Sequence, residues 1–390
     1  MKARVKNLYN KIFFTPQPLP AGTSSTILDI DGKSNRLFLR IEHGGYGLLV
    51  VNASTVLHLN PTAAEIAYYL IKKMSIDEIS AELVKRYQVS VDTARQDIED
   101  LKIRIDTLMQ TPDLDPETFL DMERAVRHSA DQNAPLRLDC ALTYQMPSGR
   151  ADTMAPVQRV DRSLDTSEWK HILDQAWEWG IPHVVFTGGE PTMRPDLVEL
   201  IQYAEQLGQV TGLITDGLRL AEKEYLDDLL NAGLDHLMII LQEREELSWE
   251  SIRDVVNKDI HLNVHLTINA GNRERIGEIL ARLAALRVQN VSISAPGKEF
   301  DAYLSDASRK AAELGMTLVY DLPVPYSEMN PVSLELEEDV TAIEGYGRSW
   351  LYVEPDGDVL PGQGILHKLG NLVKDSWITI SANRKIYLAN

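Results

Sequence analysis

Reactive side chains gather in two stretches of the chain. Residues 136–154 read LRLDCALTYQMPSGRADTM and residues 186–197 read FTGGEPTMRPDL. Each is an apolar strand running into a short polar loop, and in βα folds ligands collect where strand C-termini converge. In the second stretch Gly188 and Gly189 let backbone come close to a ligand, Glu190 brings a carboxylate, and Pro191 stiffens the exit of the turn. The first holds the one cysteine of the chain, Cys140. A lone thiol excludes an internal disulfide and any iron-sulfur cluster held by three cysteines of one chain. Cys140 shares a strand face with Leu136, Leu138, Leu142 and Tyr144, which reads as a small buried hydrophobe. His261 and His265 stand four apart on a predicted strand, about 13 Å along it, too far to share a metal.

The elements that must position these residues follow from periodicity. From position 136 onward strands are expected at 136–144, 183–187, 210–215, 236–241, 261–268, 290–295 and 317–322. Helices are expected between them at 166–179, 195–207, 222–232, 248–257, 273–286 and 305–314. Repeated βα units mean a parallel sheet with helices outside. Six complete units are too few for a closed eight-fold barrel, so the prediction is an α/β fold, a partial (β/α)6 barrel over 135–325. Its strand ends bring Thr215, Gln242 and Asn269 toward the Gly188-Gly189-Glu190-Pro191 turn as cofactor-binding candidates.

The chain before the barrel is organised differently. Positions 1–35 are weakly patterned and proline-punctuated, suggesting an extended arm. Strands are expected at 36–42, 46–51 and 55–59, the first two joined across His43-Gly44-Gly45. Asn60-Pro61 is a helix start, Ser75 with Glu78 is a capping box, and a long apolar stripe of Ala94, Ile98, Leu101, Ile105 and Leu108 follows Ser90. Strands followed by three helices predict a winged-helix-like α+β domain over 1–110. An acidic, proline-punctuated linker with one helical stretch at 116–128 fills 111–134, and 326–390 forms a C-terminal extension.

A formal charge of -19 and a pI near 4.9 argue against a nucleic-acid partner, which needs a positive surface. No run approaches the roughly 18 apolar residues of a membrane span, and no cleavage site follows MKARVKNLYNKIFF, so a cytoplasmic location without a membrane partner is expected.

The pair of stretches resembles the radical S-adenosylmethionine (radical SAM) family. In that family the loop after the first barrel strand carries CxxxCxxC, and the GGE segment holds the amino group of S-adenosylmethionine. Laid on Thr143-Tyr144, the three cysteine positions fall on Met146, Arg150 and Thr153. Where the family has a Ser-Leu-Asp-like strand end at the ribose, this chain has Ile240-Leu241-Gln242-Glu243, and Gln242 keeps a hydrogen-bonding group. WLYVEPDGDVLP at 350–361, followed by LGNL at 369–372, resembles the hairpin opening the auxiliary-cluster extension of peptide-modifying members. The cysteine that follows that proline in the family is Gly362 here. Both cluster sites lack thiolates, so no 4Fe-4S cluster is expected. Met146 is a neutral thioether, and Arg150 is a cation that repels iron and suits a carboxylate instead.

A second resemblance covers about 35–110, carried by LNPTAAEIAYYLIKKMSIDEISAELVKRYQVSVDTARQDIEDL. It is similar to the protein D family of pyrroloquinoline quinone (PQQ) biosynthesis, the peptide-recognition element of ribosomal peptide maturation. The resemblance implies that a leader peptide adds as a strand beside Val56, Leu57, His58 and Leu59, flanked by Arg95 and Ile98 of the third helix. A module used for packing or dimerisation alone is the other reading. Three functions stay open for the whole chain. It binds a precursor peptide and assists maturation without radical chemistry, or it keeps S-adenosylmethionine for polar chemistry such as methyl transfer. In the third reading it is a scaffold beside an active maturation enzyme.

Overall fold

The computed structural model describes residues 17–30, 33–52, 55–111, 114, 133–147, 160, 162–295, 298–319 and 345–389. The chain forms two compact units, 1–133 and 134–390.

The first unit is built on an antiparallel sheet of β1 (Gly22–Ile30), β2 (Lys33–Ile41), β3 (Gly47–Val51) and β4 (Thr55–Leu59), in that order. β1 lies where an extended arm was expected. It pairs with β2 along its whole length, from Gly22 opposite Ile41 to Ile30 opposite Lys33. Thr23, Thr26, Ile27 and Ile30 supply β-branched residues suited to a pleated surface.

Three helices follow: α1 (Pro61–Ile71), α2 (Ile76–Tyr87) and α3 (Val91–Gln110). Each starts on a side-chain cap, with Asn60, Ser75 and Ser90 accepting from the backbone N–H of Ala63, Glu78 and Thr93. Glu78 returns a hydrogen bond to Ser75, completing the capping box. Leu37, Leu39, Leu49, Leu57 and Leu59 of the sheet share one buried cluster with Ala64, Ala67, Ile105 and Leu108. A second cluster joins the helices through Ile66, Ile79, Leu83, Ala94 and Ile98.

The second unit alternates strand and helix as expected. β5 (Arg137–Thr143), α4 (Thr166–Glu178), β6 (His183–Gly188), α5 (Leu197–Leu207), β7 (Val210–Thr215), α6 (Lys223–Asn231) and β8 (His236–Ile240) come first. They continue into α7 (Glu246–Val255), β9 (His261–Thr267), α8 (Ile276–Ala285), β10 (Asn290–Ser294), α9 (Asp301–Glu313) and β11 (Thr317–Leu318). β12 (Trp350–Val353), β13 (Asp358–Leu360), β14 (Gly370–Asn371) and α10 (Trp377–Ala389) close the description.

The sheet has ten strands in the order β11-β10-β9-β8-β7-β6-β5-β12-β13-β14. Every pair from β11 to β12 is parallel, and the last two pairs are antiparallel. This is an open parallel sheet, consistent with a partial barrel. Alternation sorts its faces. Leu138, Cys140, Leu142, Val184, Phe186, Leu213, Leu237, Val264 and Leu266 join helix residues such as Trp169, Ile201, Trp249 and Leu280 in the main core. The opposite face, helix-free among the described residues, holds two smaller apolar clusters. One comprises Val185, Ile214, Met238 and Ile240, and the other Ala141, Tyr144, Tyr352 and Leu360. Among the described residues no helix is long and apolar enough to cross a membrane.

Candidate functional site

The glycine turn ends β6 against the end of β5. Gly188 has φ +133°, and a Cβ on it would lie 2.1 Å from the carbonyl oxygen of Thr143. A Cβ on Gly189 would lie 2.2 Å from the carbonyl oxygen of Gln145. The Gly189 N–H donates to Thr143 O at 2.6 Å, and the Glu190 N–H to Gln145 O at 2.8 Å. The two glycines therefore admit neighbouring backbone. The close approach that the sequence suggested for a ligand is one strand end against the next.

Glu190 is buried and saturated. Its Oε1 accepts from Thr192 N (3.0 Å), Thr192 Oγ1 (2.6 Å) and Thr215 Oγ1 (2.7 Å), while Oε2 accepts from Asp216 N (2.8 Å). This carboxylate ties the turn after β6 to the turn after β7. Burial, and then the Asp216 carboxylate beside it, raise its pKa. Pro191 opens a single 3-10 turn, Pro191–Met193, and Arg219 donates to the Thr192 carbonyl oxygen while lying over the Tyr225 ring.

The other cofactor-binding candidates are engaged locally as well. Thr215 accepts from Gly217 N at 3.2 Å besides donating to Glu190. Gln242 Nε2 donates to Ile240 O at 3.1 Å, and Asn269 Oδ1 accepts from Gly271 N at 2.8 Å. Sequence reasoning missed two organisers of these strand ends. Arg194 donates to the carbonyl oxygens of Leu142 (3.2 Å) and Leu164 (2.9 Å) while paired with Asp196. Asn272 accepts from Asn269 N and donates to Thr267 O, both at 2.8 Å. Their signal in the sequence, a polar residue shortly after a strand, is common to most turns.

The cluster positions divide. Met146 is half-buried and packs against both apolar clusters of the helix-free face. Arg150 and Thr153 lie outside the described residues, as does the helical stretch expected at 116–128. At Gly362 a Cβ would stand 2.6 Å from the Tyr346 ring, so a cysteine side chain has no room there without displacing that ring. Cys140 is fully buried on the helix side, and burial pushes its thiol well above the ordinary range. His265 is buried with Nδ1 2.5 Å from Ser292 Oγ and Nε2 3.0 Å from Ser294 Oγ, and burial lowers its pKa to about 3. His261 is exposed and stacks edge-on with His236. Among the described residues no group of three or more His, Cys, Asp or Glu is placed to hold a metal.

In the first unit β4 is an edge strand among the described residues. Leu57 and Leu59 point into the core, whereas Val56 and His58 are exposed on the other face. Arg95 is exposed and paired with Asp77. Ile98 is wholly buried in the helix cluster, so it packs the module and cannot meet a peptide directly. An apolar residue at this point of the helical period faces inward, a constraint the peptide assignment overlooked.

Comparison with known proteins fits both halves. Residues 140–297 match the radical SAM superfamily, and residues 45–102 match coenzyme PQQ synthesis protein D (PqqD). PqqA peptide cyclase of Gluconobacter oxydans (strain 621H) is 30% identical over 259 residues, 58% of this chain and 70% of that protein. The chain belongs to the radical SAM superfamily. PqqA peptide cyclase of Streptomyces rochei is 29% identical over 256 residues, 58% of this chain and 69% of the relative. Streptococcus suis SuiB bound to precursor peptide SuiA superposes with a TM-score of 0.57 at 15% identity, covering 92% of this chain and 88% of SuiB. SuiB bound to S-adenosylmethionine gives 0.54 at 15% identity, with the same coverage. At that identity the likeness shows the fold.

The superfamily implies an iron-sulfur cluster and S-adenosylmethionine, and the donor set does not fit the cluster. Low-potential iron needs soft thiolates, yet the one thiol is buried on the far face and an apolar thioether, Met146, stands where the motif spacing lays the first ligand. Of the side chains assigned to S-adenosylmethionine, Glu190 and Thr215 tie two strand-end turns together, while Gln242 and Asn269 bond within their own strand ends.

Proposed function

We propose that this radical SAM superfamily member binds a ribosomal precursor (leader) peptide through its PqqD-like unit and assists maturation without radical chemistry. The observation that carries this reading is the donor set: one cysteine in 390 residues, with Met146 and Gly362 at two cluster positions. Retention of a PqqD match alongside those losses favours binding as the surviving task. SuiB, whose fold this chain shares, has been crystallised with its precursor peptide, which supports a peptide as the partner class. Docking would use the open edge of β4, where backbone N–H and C=O groups extend the sheet and Val56 and His58 read alternate peptide side chains.

Two measurements on the full chain test this. Anaerobic reconstitution with iron and sulfide is expected to leave far less than four irons per chain and no visible charge-transfer band. Calorimetry with short precursor peptides encoded in the same genome is expected to find one that binds, at micromolar affinity or better. A stoichiometric four-iron cluster, or peptide affinity indifferent to Val56→Asp and His58→Asp, would overturn the reading. No observation at the strand ends favours polar chemistry on S-adenosylmethionine.

A further inference from the structure

The helix-free face of the large sheet is not uniform. Strand register places Ile214 of β7, Met238 of β8, Asn263 of β9 and Asn290 of β10 in one tier. On β6 to β8 this face is apolar around Val185, Ile214, Met238 and Ile240. On β9 and β10 it is lined instead by Asn263, His265, Thr267, Ser292 and Ser294.

Asn263 is 2% exposed, and among the described residues neither Nδ2 nor Oδ1 has a hydrogen-bond partner. Its in-register neighbours are Met238 and Asn290. Met238 is apolar, and the amide of Asn290 is turned to the Leu262 carbonyl oxygen at 3.3 Å. Thr267 Oγ1 and Thr187 Oγ1 on the same face are likewise buried and, among the described residues, without a partner. Buried polar groups are costly to leave unsatisfied, so an amide and two hydroxyls on one face call for a counterpart.

The wall carries no fixed charge. Each His265 nitrogen is bridged to a serine hydroxyl, one as donor and the other as acceptor for a neutral ring. One serine then keeps its proton free to donate, and the other keeps its lone pairs. Asn263 adds a donor and an acceptor side by side. That set matches a neutral group with one acceptor and one donor, and it penalises a carboxylate or ammonium, whose burial demands a counter-charge.

We propose that the β9–β10 wall is a subsite for a neutral amide, a peptide group or an Asn or Gln side chain of the bound precursor. This rests on the peptide-binding reading above. Met146, unbranched and flexible, packs on the neighbouring apolar cluster and can yield space by changing rotamer.

The test uses full-length protein carrying ¹³C-methyl methionine, with Met238 as reporter beside Asn263, titrated with N-methylacetamide. A saturable shift of the Met238 methyl is expected, weakened about tenfold in Asn263→Leu, the loss of a pair of hydrogen bonds. Acetate, equal in size but charged, should not saturate it. Asn263→Leu removes an unpaired amide, so its melting temperature should equal or exceed that of the parent; if it fails to fold, Thr267→Val serves instead, and should also weaken the shift. No saturable shift, an equal response to acetate, an unchanged response in the variant, or saturation by adenosine alone would each overturn the proposal. If the amide response survives while β4 variants leave peptide affinity unchanged, the subsite stands and the β4 docking reading falls.

Discussion

The Glu190 side chain accepts from four donors, an arrangement a carboxylate completes. Glu190→Gln must turn an NH₂ toward either the threonine donors or the Asp216 N–H, which should destabilise the protein by about 1–3 kcal/mol in urea unfolding. Gly188→Ala meets the Thr143 carbonyl at an impossible distance and a left-handed φ, so a loss of about 1–3 kcal/mol or more is expected by the same measurement. His265 gives a pH signature. Its folded pKa of about 3 lies below the ordinary 6.5, so the unfolded chain binds a proton that the folded one refuses. Stability is full above pH 6.5 and falls by about 1.4 kcal/mol per unit as pH drops toward 3. His265→Asn should flatten that slope in denaturation curves run between pH 7 and pH 4. The sequence made the glycine turn and its carboxylate legible as a special place. It did not reveal what they meet, because strand register decides that Thr143 and Gln145 lie alongside.

At the scale of elements, caps and periodicity were readable and pairing was not. Asn60, Ser75 and Ser90 cap the helices where local chemistry demands. β1 escaped notice because it is polar on most positions and gains its place from a nine-residue pairing with β2. The strand expected to receive a peptide lies at the end of the described sheet, but Leu57, Leu59 and Ile98 prove to be core. Variants must therefore use the exposed positions. Val56→Asp and His58→Asp should each weaken peptide binding about tenfold while leaving the melting temperature near that of the parent, whereas Leu57→Asp should unfold the module. Thermal melts alongside calorimetry separate the two outcomes.

For the molecule as a whole, the fold was legible and the C-terminal return was only half so. Alternating βα units predicted the parallel sheet, since each period states its own element. That 350–353 pairs with β5 could not be read, because nothing local announces a partner so distant in sequence. Tyr346 filling the space at Gly362 is a consequence of that return. Gly362→Cys should thus lower stability and leave iron content after reconstitution unchanged, as read by colorimetric iron assay.

The pairing of β12 with β5 also bears on synthesis. Tyr144 and Tyr352, whose hydroxyls meet at 2.9 Å, are 208 positions apart, so a ribosome must emit nearly the entire C-terminal unit before the first strand gains its second neighbour. Until then a nascent β5, apolar and bare along one side, is open to other chains. Expression at lower temperature, or with a holdase chaperone, should raise the yield of folded material.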